Sequence, residues 1–267
     1  MTTGSGPPAA TERLRAAPLE VVGRFADASN ATLLARLTDR DPRSLEQLAG
    51  DLGREPDIDD LDPHDLVVYK PERGERPLWD FPSGTLHRRE VAAYQVSLAL
   101  GWDQVPTTVV RTDGPFGRGS VQAFRAHDRE QHYFTLREDG EQDVAAQLDR
   151  MIVFDALVQN ADRKAGHVLL EDAGTPRVWL VDHGVCFHTE PKLRTVAWDR
   201  AGEPVPPALL ADVDALRASL AGDLAARLAL LLTEQEVGAI AARCVALLER
   251  ASFPHPEVAH PYPWPLL

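Results

Sequence analysis

Only two cysteines, Cys186 and Cys244, occur in the 267 residues, and neither has a second cysteine at CxxC spacing. A disulfide framework and a thiolate zinc site are therefore excluded. Lysine is nearly absent as well: Lys70, Lys164 and Lys192 stand among cations that are otherwise all arginine, so each retained lysine invites a chemical reason. Positive charge is short overall. At a net charge of −13 the surface repels nucleic-acid backbones and anionic headgroups, so nucleic acid is not an expected partner. The most apolar stretch, 224–248, is broken by Arg227, Glu234, Glu236 and Arg243, which suits amphipathic helices better than a membrane span. The opening MTTGSGPPAATERLR lacks the apolar core of a signal peptide, so a cytoplasmic protein without stable membrane association is expected.

What is present suffices for a real core, since 44% of the residues are hydrophobic. Residues 1–18 are expected to be a flexible leader. Leu19–Phe25 and Thr32–Thr38 read as two strands joined by the turn ADASNA. The acidic, proline-punctuated segment 39–65 reads as a surface insert, with a short helix from Ser44 and Gln47 completing a capping-box pattern. LVVYKP is a third strand. A helix from about Thr85 to Leu100 follows, with Val91, Tyr94 and Leu98 on its buried side. VPTTVVR and GRGSVQAFR are two more strands, which makes 19–125 a small sheet carrying one helix.

Residues 126–251 change character. A helix from about Asp143 to Gln159 leads into the polar loop NADRKAGH, and the strands HVLLED and RVWLVD form a hairpin around Gly174. Two helices are then expected, Pro207–Leu232 and Thr233–Ala251. The tail 252–267 holds five prolines and cannot form helix or sheet interior.

The chemistry concentrates in NADRKAGH, Asn160–His167, and WLVDHG, Trp179–Gly184. Each sets an acid in a loop directly after an apolar element. The hairpin between the two segments can return the chain to one cleft, where one carboxylate orients a hydroxyl and the other holds a metal on phosphate oxygens. Taken singly, Asp162 reads more often as a turn or cap residue and His167 as a satisfied structural histidine, while Lys70 has a reading as an ordinary edge-strand lysine.

Asp162-Arg163-Lys164-Ala165-Gly166-His167 followed by Asp182-His183-Gly184 resembles the catalytic and metal-binding loops of the phosphatidylinositol 3- and 4-kinase-like superfamily, whose usual forms are DRHxxN and DFG. With LWDFPSGTLHRREVAAY and FDALVQNADRKAGH, the likeness extends to an uncharacterised bacterial branch related to those kinases and to HipA-type kinases. It implies an α+β, two-lobed kinase-like fold with a small β-rich N-lobe and a mainly helical C-lobe. It also implies ATP and Mg²⁺ or Mn²⁺ as cofactors. Asp162 would orient the acceptor, Asp182 would be the principal metal ligand, and His167 would stand where the family presents an asparagine ligand. Lys70 would bind phosphate, held by Glu90. The glycine-rich loop is missing, and Ser29 and Asn30 of GRFADASNATLL would offer backbone N–H groups to phosphate instead. The implied activity is phosphoryl transfer to a protein or small polar acceptor. A phosphoinositide acceptor is disfavoured, because no polybasic patch would recruit an anionic lipid. A nucleotide-binding pseudokinase, a nucleotidyl transferase and a metal-dependent hydrolase built on His167, Asp182 and His183 stay open as alternatives.

Overall fold

The first unit is built on five short runs rich in Leu, Val and Tyr: β1 (Leu19–Arg24), β2 (Leu33–Leu37), β3 (Leu66–Pro71), β4 (Thr108–Gly114) and β5 (Gly117–Ala123). The computed structural model describes residues 8–25, 30–38, 61–172 and 174–267. The strands form one antiparallel sheet in the order β1-β2-β3-β5-β4. Its apolar cluster includes Leu19, Val21, Leu33, Ala35, Val67, Tyr69 and Val121. Lys70 lies opposite Ser120. Beside that pair a side chain at Gly119 would run into the Lys70 carbonyl oxygen, so glycine lets β5 close on β3 at the lysine.

The expected leader is helical in part: α1 spans Pro8–Ala16. Its buried Leu14 joins the apolar cluster of the sheet. Arg111, on β4, donates to the Leu14 and Ala17 carbonyls at 3.0 and 2.8 Å, which supplies partners for the helix end. No reading of residues 1–18 alone could find an arginine some ninety residues away. The helix expected from Ser44 lies outside the described residues.

α2 spans Leu86–Leu100. Glu75 caps it, accepting from the Leu86 and His87 amides at 3.1 and 2.8 Å and from His87 Nδ1 at 2.8 Å. These bonds hold the Glu75 carboxyl below its ordinary value against the opposing effect of burial. Leu98, expected inside, is 44% exposed, while Ala92, Ala93 and Val96 are fully buried. Small residues that no hydrophobic stripe singles out carry this packing.

The chain forms two compact units, Met1–Val91 with Pro106–Arg125, and Ala92–Val105 with Ala126–Leu267. The second unit is mainly helical: α3 (Tyr133–Asp139), α4 (Gln142–Val158), the hairpin β6 (Val168–Asp172) and β7 (Pro176–Leu180), then α5 (Pro207–Ser219), α6 (Asp223–Leu228) and α7 (Glu234–Arg250). The single helix expected over 207–232 breaks around Gly222, a residue that costs a helix interior about 1 kcal/mol relative to alanine. α7 begins on a capping box in which Thr233 and Glu236 bond each other's backbone amides. Its core gathers α4 residues such as Leu148, Met151, Phe154 and Leu157 with Val178, Leu180, Val213 and Ile240. Cys186 and Cys244 are buried and not joined in a disulfide, and burial pushes the Cys244 thiol up to about 11. Among the described residues no helix is long and apolar enough to cross a membrane.

Candidate active site

α4 ends at Gln159, whose left-handed backbone (φ 54°) turns the chain into the loop that carries Asp162. The Asn160 side chain accepts from the Asp162 amide at 2.9 Å, a local turn bond that short polar side chains favour. Backbone bonds fasten the loop on several sides: Ala161 donates to Val185 at 3.1 Å, Arg163 to Arg194 at 3.0 Å, and Ala165 to Leu266 of the C-terminal tail at 2.8 Å.

Hairpin register brings the second acid back. Val168 pairs with Leu180, and the Val181 amide donates to the His167 carbonyl at 3.1 Å. The next residue, Asp182, takes a left-handed backbone (φ 60°), uncommon for a side chain of its kind and found disproportionately at functional sites. His167 Nε2 thereby lies 3.4 Å from Asp182 Oδ2, and Asp182 is half exposed.

Arg163 holds the two loops in place, a role that sequence reasoning did not give it. Its side chain is fully buried and bonds Asp155 of α4 through Nε at 2.8 Å and Nη2 at 2.9 Å. Nη1 donates to the Val181 carbonyl at 2.8 Å and to the His167 carbonyl at 3.2 Å, and Nη2 lies 2.8 Å from His183 Nε2. Because a guanidinium only donates, His183 accepts through Nε2. A single fork thus braces the residues that precede Asp182 and follow Asp162. Asp155 also takes the Asn160 side-chain amide at 3.2 Å.

Burial raises the Asp162 carboxyl to about 6; Lys164, 3.3 Å away, opposes the rise and the Asp182 charge adds to it. A carboxyl near 6 is better placed to take a proton than an ordinary aspartate. It also carries a stability consequence. The folded group keeps its proton up to about 6 while the unfolded one releases it near ~3.9, so stability falls as pH rises across that window. Asp162→Asn is expected to raise the melting temperature by a few degrees at pH 7 and to match the wild type below about pH 4. Thermal melts at both pH values check this, and equal temperatures at pH 7 would contradict it.

In the first unit, Lys70 Nζ lies 2.5 Å from Glu90 Oε1, and the Glu90 side chain is almost entirely buried. The Asn30 side chain accepts from the Arg76 amide at 2.8 Å, which ties the start of β2 to the loop after β3. Ser29 lies outside the described residues.

The phosphatidylinositol 3- and 4-kinase family model matches residues 88–215, the span containing both acid-bearing loops. Protein Rv2133c of Mycobacterium tuberculosis (strain ATCC 25618 / H37Rv) is 39% identical over 278 residues, which cover 92% of this chain and 91% of the relative. The chain belongs to one family with Rv2133c, and its residues 88–215 carry the phosphatidylinositol 3- and 4-kinase match. Among solved structures, the Golgi casein kinase with Mn/ADP bound is similar at a TM-score of 0.51 and 14% identity, over 93% of this chain and 79% of that one. Hydra Fam20 with sugar is similar at a TM-score of 0.50 and 13% identity, over 90% and 86%. The fold is kinase-like, with the antiparallel five-stranded sheet toward the N-terminus and the helices toward the C-terminus.

Proposed function

We propose that the chain transfers a phosphoryl group from ATP to a hydroxyl of a protein or small polar acceptor. The observation that carries this reading is the Arg163 brace, which fixes Asp162, His167 and Asp182 from one buried side chain. Asp162 orients the acceptor hydroxyl and takes its proton. Lys70, held by Glu90, neutralises nucleotide phosphate, and the backbone N–H groups at Ser29 and Asn30 assist it. Asp182 and His167 are the metal ligands.

Among the described residues no three His, Cys, Asp or Glu side chains form a metal cluster. Two protein ligands nevertheless suit Mg²⁺ or Mn²⁺ in a kinase, where phosphates and water complete the shell. The half-exposed Asp182 leaves room for both. Asp182 and His167 would hold a divalent cation there, which would supply positive charge against the nucleotide phosphates.

His167 Nδ1 accepts weakly from the Lys164 amide at 3.4 Å, so the ring proton sits on Nε2, facing Asp182. To coordinate, the ring must move that proton to Nδ1 and give up a contact at the outer limit of a hydrogen bond. Imidazole nitrogen favours Mn²⁺ more than an asparagine oxygen does. His167→Asn is expected to shift preference toward Mg²⁺; an unchanged Mn²⁺/Mg²⁺ activity ratio would take His167 off the ligand set.

The experiment that tests the nucleotide assignment is a double-mutant cycle on ATP affinity, measured by calorimetry with Mg²⁺. Lys70→Met and Glu90→Gln should each weaken binding. The double variant should lose less than the sum by about 0.5–3 kcal/mol, as residues acting as a unit do. Strictly additive losses would leave Glu90 without a part in holding Lys70.

A further inference from the structure

The loop between β3 and α2 and the tip of the β4–β5 hairpin enclose a cavity of about 530 Å³ within the first unit. Three of its lining residues are arginines, Arg73, Arg76 and Arg118, in a chain whose net charge is −13. None of the three guanidinium groups forms an ion pair among the described residues. Two acids line the same cavity, but Glu75 is already engaged by His87 and the first amides of α2. Glu72 is left facing three cations.

Three cations beside one uncommitted acid leave a net positive charge, and an anion bound among them offsets their mutual repulsion. Guanidinium forks match phosphate oxygens in pairs, which favours phosphate over a compact halide. Phe81 and Phe116 supply an apolar wall, and the volume falls within the roughly 300–1,000 Å³ typical of small-molecule sites. Lys70 and Glu90 do not line the cavity.

We propose that this cavity binds a small phosphorylated molecule through Arg73, Arg76 and Arg118, separately from the Lys70–Glu90 pair. The phosphates could belong to a free polyphosphate or to a nucleotide, so two probes are used on the purified full chain: inorganic pyrophosphate and ADP, each titrated by calorimetry without metal. Wild type and Lys70→Met are expected to bind pyrophosphate alike. The Arg73→Gln/Arg76→Gln/Arg118→Gln variant is expected to bind it at least tenfold more weakly at an unchanged melting temperature, all three side chains being exposed. Arg118→Glu alone should weaken pyrophosphate binding in the same direction. ADP binding should fall with Lys70→Met; a change within about twofold in the triple variant assigns the cavity to a free polyphosphate, and a tenfold loss there assigns it to a nucleotide. The proposal is overturned if the triple variant binds pyrophosphate as the wild type does. It is equally overturned if Lys70→Met, and not the arginine variants, abolishes pyrophosphate binding, or if millimolar pyrophosphate leaves the wild type unbound. Because no step requires phosphoryl transfer, a chain inactive as a kinase could still pass this test, and an active one could fail it.

Discussion

Asp155→Ala is expected to destabilise the second unit by about 3–5 kcal/mol, because it strands the Arg163 guanidinium in the interior without its counter-charge. Both side chains are at most 1% exposed, so water cannot take the place of the lost carboxylate. Denaturant titration measures the loss, and a value below about 1 kcal/mol would show that the pair matters little. The companion variant Asp155→Leu/Arg163→Met separates stability from positioning. Replacing a whole buried pair by apolar residues of similar volume is often neutral or stabilising, so most of the lost stability should return. The Val181 and His167 carbonyls and His183 Nε2 would still lack the donors that Arg163 gives them. Activity should therefore stay lost in a folded protein. Recovery of activity together with stability would show that the two loops hold themselves without the brace.

The second large effect separates the two acids. Asp162→Ala is expected to lower transfer by about 10²–10⁴-fold, the usual contribution of a positioned general base, while nucleotide affinity stays near that of the wild type. Asp182→Ala should lose metal-dependent nucleotide binding as well, because its carboxylate is assigned to the metal and not to the acceptor. Calorimetric titration of both variants, set beside their turnover, reads the difference. Equal loss of nucleotide binding in the two would sink the division of roles.

The parts of the site that show in the sequence are those set by local pattern. The apolar run before NADRKAGH predicts a helix ending at a polar loop, and the two β-rich runs around Gly174 predict the hairpin; its register then brings His167 and Asp182 to 3.4 Å. Arg163 and Asp155 show much less. Arg163 reads as a mere neighbour of Asp162, and nothing local says that its side chain turns inward. Asp155 did carry a signal, an acid inside the apolar stretch MIVFDALV. A charge on a buried helix face demands a buried partner, and a fully buried arginine eight residues on supplies it. Long-range closure explains the other misses: α1 depends on Arg111, and the tail meets the loop through the Leu266 carbonyl. Leu98 misled because its helix is buried along small residues on either side of the expected stripe.

The most direct measurement is the fate of label from ATP, incubated with the purified chain, Mg²⁺ or Mn²⁺ and a candidate acceptor mixture. Label from the γ-phosphate is expected to pass to an acceptor with the wild type and to fall at least a hundredfold with Asp162→Asn at unchanged nucleotide binding. Transfer of label from the α-phosphate instead, or γ-phosphate transfer that Asp162→Asn leaves intact, would contradict phosphoryl transfer directed by Asp162.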